Sequence, residues 1–327
     1  MSDADSVGGP PPTARDREVM LRDVLEGLRL PQKELSPKYL YDTRGSELFE
    51  EITYLDAYYP TRTEHALLRR WMPAWVSEGR PGALVELGAG SARKSRVVLD
   101  AMEAHGTGAL YVPVDVSATF LHKTVARLRR EYEDFRVEPL VRDITAPLGL
   151  DTELPESAWF ALLGSTIGNF PRPRAVALLR RVVAEMRPGD RVLLGADQRP
   201  GPHKSRADVE RAYDDADGVT AAFNLNVLRV LNRELGCDFD ESAFRHRAFY
   251  DDDEHRIEMH LESVEDQVVR IGPDQTVTLE AGETIRTELS CKHDRESVTS
   301  LFADAGLELE RWAQDERGYF ALVLGRP

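Results

Sequence analysis

Glu288 and Ser290 stand two residues apart in the run Thr287-Glu288-Leu289-Ser290-Cys291-Lys292, which reads as a β-strand. Alternate residues of a strand share a face, so a carboxylate and a hydroxyl project together. Such a pair can answer the N–H groups of a ligand, and the carboxylate favours a cationic one. A second constellation lies upstream. Gly88 and Gly90 follow the apolar run Ala83-Leu84-Val85-Glu86-Leu87, and Asp115 stands 27 residues beyond Gly88. Asp143 follows a third apolar run and Gly164 a fourth. Glycines let backbone approach a ligand closely, and an acid at about that distance grips ribose hydroxyls in dinucleotide folds. A dinucleotide fingerprint wants a third glycine at position 93, where Arg93 stands; the pattern therefore favours a smaller nucleoside ligand.

Each of these residues also has an ordinary structural reading. The glycines suit a plain strand-to-helix turn, and Asp143 or Asn169 suits a helix cap. Met259 suits the core, and Glu288 with Ser290 suits a solvated strand face.

The elements that must position these groups alternate strand, loop and helix from about residue 82. Leu110 to Asp115, Arg136 to Val141, Trp159 to Gly164 and Arg191 to Asp197 read as further strands, and Ala175 to Met186 as a helix. Continuous apolar strands in this alternation predict a parallel sheet covered by helices. Earlier, residues 1 to about 15 read as a mobile tail, and Asp16 to Leu30 as an amphipathic helix. The segment from Tyr39 to Glu64 holds many hydrogen-bonding groups for a mere connector. After Pro202 a long helical region over about 205 to 235, carrying Tyr213, gives way to alternating strands. Asp251-Asp252-Asp253-Glu254 reads as a hairpin turn before Ile257-Glu258-Met259-His260-Leu261-Glu262. The chain ends helix (Glu296 to Ala305), strand (Leu307 to Ala313), strand (Tyr319 to Leu324).

Composition narrows the classes. The 327 residues are 42% hydrophobic and 30% charged, a globular balance. The formal net charge of −15 argues against nucleic acid and mildly favours a cationic ligand. No apolar stretch reaches membrane-span length, and no secretion signal is expected at the N-terminus. Cys237 and Cys291 form no disulfide framework and read as packing residues, which fits a reducing cytoplasm. The eight histidines, among them His246, His255, His260 and His293, lack ligand spacing, so no metal is expected and surface positions are.

Six segments, in order, resemble the ergothioneine-pathway histidine Nα-methyltransferases. They are Tyr41-Asp42 with Gly45-Ser46-Glu47-Leu48-Phe49; Tyr58-Tyr59-Pro60-Thr61-Arg62-Thr63-Glu64; Val85-Glu86-Leu87-Gly88-Ala89-Gly90; Leu163-Gly164-Ser165-Thr166-Ile167-Gly168-Asn169; Arg211-Ala212-Tyr213-Asp214-Asp215; and Arg256-Ile257-Glu258-Met259 with Thr287 to Lys292. The resemblance implies a Rossmann-like class I methyltransferase domain with a smaller α+β substrate-binding domain, the latter from residues 16–62 and 202–290. Residues 63–201 and 291–327 would form the cofactor domain. It implies S-adenosylmethionine as methyl donor, S-adenosylhomocysteine as product, and trimethylation of L-histidine to its betaine, hercynine. By this resemblance Gly88, Lys94, Asp115 and Asp143 hold the cofactor. Asn169 and Tyr213 bind the substrate carboxylate with Tyr41 nearby, and Gly164 offers a carbonyl to the α-amine. Tyr58, Met259, Glu288 and Ser290 surround the imidazole. His293 and Ala92-Arg93 depart from the family's pattern, at positions with no assigned role.

Transfer requires a neutral amine aligned at near-attack distance, yet nothing in the sequence announces a strong base. Positioning then dominates, with Tyr58 or water taking the proton. A monomer without membrane or nucleic-acid partners is expected. Three rivals remain at this stage: an α-N-methyltransferase for another amino acid such as tryptophan, an NAD-dependent oxidoreductase, and a non-catalytic module with the same fold.

Overall fold

The computed structural model describes residues 13–150 and 152–327. Most of the expected tail, residues 1–12, lies outside the described residues. In chain order come α1 (Ala14–Leu28), the short β1 (Lys33–Glu34), α2 (Thr43–Ile52) and α3 (Tyr59–Gly79). Alternation follows: β2 (Ala83–Leu87), α4 (Ser95–Ala104), β3 (Leu110–Asp115), α5 (Ala118–Glu131), β4 (Arg136–Val137), β5 (Leu140–Val141), β6 (Ala158–Leu162), α6 (Arg172–Glu185) and β7 (Arg191–Asp197). Then come α7 (Arg206–Arg211), α8 (Val219–Leu235), β8 (Phe244–Asp251), β9 (Arg256–Ser263), β10 (Gln267–Ile271), β11 (Gln275–Leu279) and β12 (Thr284–Cys291). The last three are α9 (Arg295–Ala305), β13 (Glu308–Gln314) and β14 (Phe320–Arg326).

The chain divides into two compact units. One comprises Met1–Ala57, Glu210–Asp251 and Ile257–Glu288; the other comprises Tyr58–Val209, Asp252–Arg256 and Leu289–Pro327.

The second unit is built on an eight-stranded sheet ordered β13-β14-β7-β6-β2-β3-β4, with β5 also on β3. Strands from β7 to β5 run parallel, while β14 lies antiparallel between β7 and β13. Every residue of β2 and β6 is buried, as expected of strands covered on both faces. Leu84 joins Leu68, Met72, Val98 and Leu121 on one face, whereas Val85 and Leu87 join Leu178, Val298 and Phe302 on the other.

The expected third strand is two short ones. Pro139 has no N–H to give the ladder, so pairing with β3 stops at Val137 and resumes at Leu140 in unchanged register. Asp143 therefore ends no strand. Its Oδ1 accepts from the backbone N–H and hydroxyl of Thr145, a local turn rather than a helix cap.

The first unit carries a four-stranded sheet ordered β1-β12-β9-β8 and the separate hairpin β10-β11. Helix α1 starts two residues before the expected Asp16, because Thr13 and Asp16 form a reciprocal capping box. The acidic run from Asp251 to Glu254 does make the turn between β8 and β9. The long helix over 205–235 is interrupted, and Tyr213 lies in the bend rather than on a helix. Gly218, at φ 73°, breaks the helical path. The Asp215 carboxylate accepts from the N–H groups of Val219 and Thr220 at 3.0 and 2.7 Å and so starts α8 afresh. Among the described residues no helix is long and apolar enough to cross a membrane.

Candidate active site

Gly88, Lys94, Asp115, Gly164 and Asn169 all lie at or just beyond the carboxyl ends of β2, β3 and β6, within the second unit. Gly88 sits at φ 78°, which favours glycine. Asp115 closes the loop that follows β2. One carboxylate oxygen accepts from the Gly90 N–H and the other from the Ser117 N–H, each at 2.9 Å. Burial pushes the Asp115 carboxyl up, and those backbone donors oppose the rise. Each oxygen keeps a lone pair for a further donor. A Cβ added at Gly90 would meet nothing within 4 Å, so open space lies beside the backbone here. A carboxylate with spare acceptors beside bare backbone fits a ribose diol.

The end of β6 is the most constrained part of this edge. Gly164 and Ser165 both adopt left-handed backbone, at φ 77° and 57°. For a buried serine that conformation costs about 1–3 kcal/mol, strain that accumulates at functional sites. Ser165 accepts the Asp197 N–H on its hydroxyl at 3.1 Å. The turn delivers Asn169 at the end of a 3-10 segment, Thr166–Asn169. Its side chain has no hydrogen-bond partner among the described residues, so the helix-cap alternative for Asn169 does not apply.

Glu64, on α3, lies beneath this turn with its side chain fully buried. Both carboxylate oxygens receive the Gly164 N–H at 2.8 Å, and the Lys94 ammonium pairs with Glu64 at 2.9 Å. Lys94 occupies the N-cap position of α4 and is 22% exposed, so its ammonium spans from buried Glu64 towards solvent. Gly195 must be glycine because a Cβ there would collide with the Glu64 carboxylate.

A second buried carboxylate, Glu86 on β2, accepts from Ser95 and Tyr111. Burial pushes its pKa up to about 7 against those two hydrogen bonds. The folded state then holds a proton between about pH 4.5 and 7 that the unfolded chain has released, so this carboxyl costs stability as pH rises through that window. Glu86→Gln is expected to gain stability relative to the parent by about 1 kcal/mol per pH unit across it. Urea midpoints at pH 5 and 7.5 measure this; a constant difference would contradict the protonated carboxyl.

Asp197, at the end of β7, anchors a buried charge cluster. It accepts from Tyr59 Oη at 2.9 and 3.0 Å and pairs with Lys204 at 2.5 Å and Lys292 at 2.7 Å. Burial raises the Asp197 carboxyl, but the two ammonium groups outweigh it and hold it below the usual range. Lys204 is pushed down to about 8 by burial, with Lys292 adding to the fall. Its ammonium also lies 4.6 Å from the centre of the Tyr59 ring, a cation–π contact. Lys292 reaches Ser290 Oγ at 2.8 Å. Tyr58 is buried immediately before α3, at 7% exposure.

Burial along β12 corrects the solvated-face reading. Buried and half-buried residues alternate from Thr284, but Thr287 and Glu288 are both buried, and the phase is inverted through Ser290. Glu288 is 9% exposed and Ser290 3%. Glu288 is therefore not a solvated surface charge.

Tyr41, Tyr213, Met259 and Glu288 belong to the first unit. Tyr41 packs edge-on against Phe49 and Phe223, with ring centres 5.6 and 5.4 Å away. The bend at Tyr213 is fixed by His246: Asn224 Nδ2 donates to Nδ1, which leaves the Nε2 proton for the Tyr213 carbonyl, both at 2.9 Å. Met259, 1% exposed, accepts on its carbonyl from Thr287 Oγ1. The surface expectation for histidines fails at three positions. His246 is buried, and burial lowers its pKa. His260 is buried between Glu258 and Thr284 and stacks on Phe249. Burial first, then the charges of Lys292 and Arg199, push His293 down to about 4. Strand alternation could not reveal the burial of His260, because both faces of β9 are largely covered.

Sequence reasoning gave no role to Glu64, Asp197, Lys204 or Lys292. Glu64 and Lys292 stood inside quoted segments, and a charged residue closing an apolar strand, as Asp197 does, was the only other signal.

A parallel sheet with its antiparallel β14, an acid at the end of the second parallel strand and bare backbone after the first define a Rossmann-like domain with a nucleoside-binding edge. A family model described as "Histidine-specific methyltransferase, SAM-dependent" matches residues 20–327. The histidine N-alpha-methyltransferase of Mycobacterium tuberculosis is 46% identical over 307 residues, 93% of each chain. That of Mycolicibacterium smegmatis is 42% identical over 94% of each. Ergothioneine biosynthesis protein 1 of Neurospora crassa is 30% identical over 94% of this chain, which spans 36% of that longer protein. The chain belongs to the histidine-specific, S-adenosylmethionine-dependent methyltransferase family, which removes the oxidoreductase and non-catalytic readings.

Proposed function

We propose that this enzyme places three methyl groups in succession on the α-nitrogen of free L-histidine, giving hercynine, the first step of ergothioneine formation. The observation that carries the reading is the match of residues 20–327 to the histidine-specific family; Glu288 and Ser290, both buried on β12, are the groups assigned to the ring. Asp115, Gly88, Lys94 and Asp143 are the residues assigned to S-adenosylmethionine, which supplies an electrophilic methyl group. Asn169 and Tyr213 hold the substrate carboxylate with Tyr41 alongside, and the Gly164 carbonyl receives the α-amine. Met259 walls the ring with soft apolar surface.

These residues hold the amine neutral and aimed, the condition for in-line transfer. The amine must shed a proton before each transfer, and Tyr58 or a water takes it. The final product carries a fixed positive charge that tyrosine faces stabilise. The same reading takes the enzyme as a cytoplasmic monomer, since no assigned role calls for a second copy.

The second reading keeps the chemistry and changes the amino acid, with tryptophan the leading alternative. Initial rates of S-adenosylhomocysteine release with each free amino acid separate the two. Histidine is expected to lead tryptophan by at least about 100-fold in kcat/KM, because a site built to hydrogen-bond its substrate rejects one lacking those groups. Equal rates, or a lead for tryptophan, would overturn the histidine reading.

A further inference from the structure

We propose that Glu64 is a positioning residue that balances the charge of Lys94, so that the cofactor edge accepts the sulfonium of S-adenosylmethionine without favouring the uncharged product, S-adenosylhomocysteine. The inference rests on the assignment of Lys94 to the cofactor and deepens it. All the groups it uses lie in the second unit. Glu64 comes from α3, Lys94 from the N-cap of α4 and Gly164 from the turn after β6. The Glu64 side chain is fully buried, whereas Lys94 keeps 22% of its own exposed. Ammonium and carboxylate meet at 2.9 Å, and the Gly164 N–H donates to the same carboxylate at 2.8 Å. A Cβ at Gly164 would collide with the Lys94 ammonium, which therefore lies directly against the turn. Both neighbours of Glu64 donate, as an ionised carboxylate requires.

The chemistry of the two nucleosides decides what this pair does. S-adenosylmethionine and S-adenosylhomocysteine carry the same amino-acid and adenosine parts, and differ by one methyl group and the positive charge on sulfur. An unbalanced ammonium would attract the carboxylate of either one equally and repel only the sulfonium. Positive charge already gathers in this corner. Burial first, then Arg69 and Arg93, hold His65 below its ordinary range; Glu64 opposes that fall and Lys94 adds to it. Glu64 supplies the counter-charge to the cation assigned to the cofactor, and its burial keeps the pairing from being screened as a surface pair is. Each methyl transfer leaves S-adenosylhomocysteine in the site, so a bias towards it would slow every exchange for fresh cofactor.

The test is a charge cycle, read by calorimetric titration of the enzyme with S-adenosylmethionine and with S-adenosylhomocysteine at pH 7.5. The observable is the ratio of the two Kd values, in which losses common to both ligands, including any loosening of the fold, cancel. Glu64→Gln keeps an oxygen for the Gly164 N–H and removes the charge. Its ratio should move roughly tenfold towards S-adenosylhomocysteine, the order expected for one partly buried unit charge within about 10 Å. Lys94→Met leaves the carboxylate unbalanced, and its ratio should move towards S-adenosylmethionine. The double variant removes both charges and should return the ratio close to that of the parent. If Glu64→Gln binds neither ligand, the other two variants carry the test alone. A parent-like ratio in Glu64→Gln, with Lys94→Met still shifted, would overturn the role of Glu64 while leaving Lys94 at the cofactor. A double variant that stays shifted towards the product would show that Lys94 is not the charge Glu64 answers. Parent-like affinities for both ligands in Lys94→Met would remove Lys94 from the cofactor site, and the inference with it.

Discussion

Asp197→Ala is expected to lower the stability of the fold by about 3–5 kcal/mol, the cost of leaving buried charge uncompensated. The carboxylate is fully buried and is the shared partner of two ammonium groups that are themselves buried. Removing it leaves Lys204 and Lys292 close together without the carboxylate they share. Urea unfolding at pH 7 reads the loss directly, and a change under about 1 kcal/mol would show that the cluster is not charged as described. The pH dependence has a definite sign. A carboxyl held below its unfolded value stabilises the fold above that value, about 3.9, and loses its contribution as pH falls through the lower folded one. The gap between parent and Asp197→Ala should therefore persist down to about pH 4 and close only below it. Lys204 acts in the opposite range. Its folded pKa of about 8 lies below the unfolded 10.5, so its ionisation burdens the fold below about 8 and ceases to do so as pH climbs towards 10.5.

Glu288→Ala is expected to raise the KM for histidine by roughly 10- to 100-fold, the worth of one hydrogen bond to a charged group, with a smaller effect on kcat. The carboxylate is assigned to the ring and not to the reacting amine, so its loss falls chiefly on binding. A substrate with an apolar or indole side chain should lose far less, or gain, because the buried carboxylate that excluded it is gone. Steady-state kinetics with histidine and tryptophan check this. An unchanged histidine KM would remove Glu288 from the substrate site.

The parallel sheet was legible because β2, β6 and β7 are near-continuous apolar runs, each followed by a turn residue or an acid. The cofactor edge followed from Gly88 and Asp115, since the ends of parallel strands share one side. Helix α3 was not read. Pro60 in its first turn and Pro73 inside it disguise a 21-residue helix as loop, although proline is well tolerated at a helix start. The break at Tyr213 was equally hidden, because an Asp215 cap and a left-handed Gly218 look like ordinary helix-surface residues in a string. The buried charges form the largest gap. Asp197, Lys204 and Lys292 come from three separate segments, and no local pattern announces that they meet. Glu288 and Ser290 were singled out by the family resemblance, their spacing adding only a shared face, and the inversion of burial at Thr287 and Glu288 depends on what covers the strand.

The central claim is methylation of the histidine α-nitrogen, and the product's structure tests it most directly. Histidine incubated to completion with enzyme and excess S-adenosylmethionine should yield one species whose carbon–proton NMR correlations tie three equivalent methyls to the α-carbon, with both ring protons unshifted by N-methylation. Methyl groups on a ring nitrogen, or unmodified histidine beside a methylated different amino acid, would contradict the account.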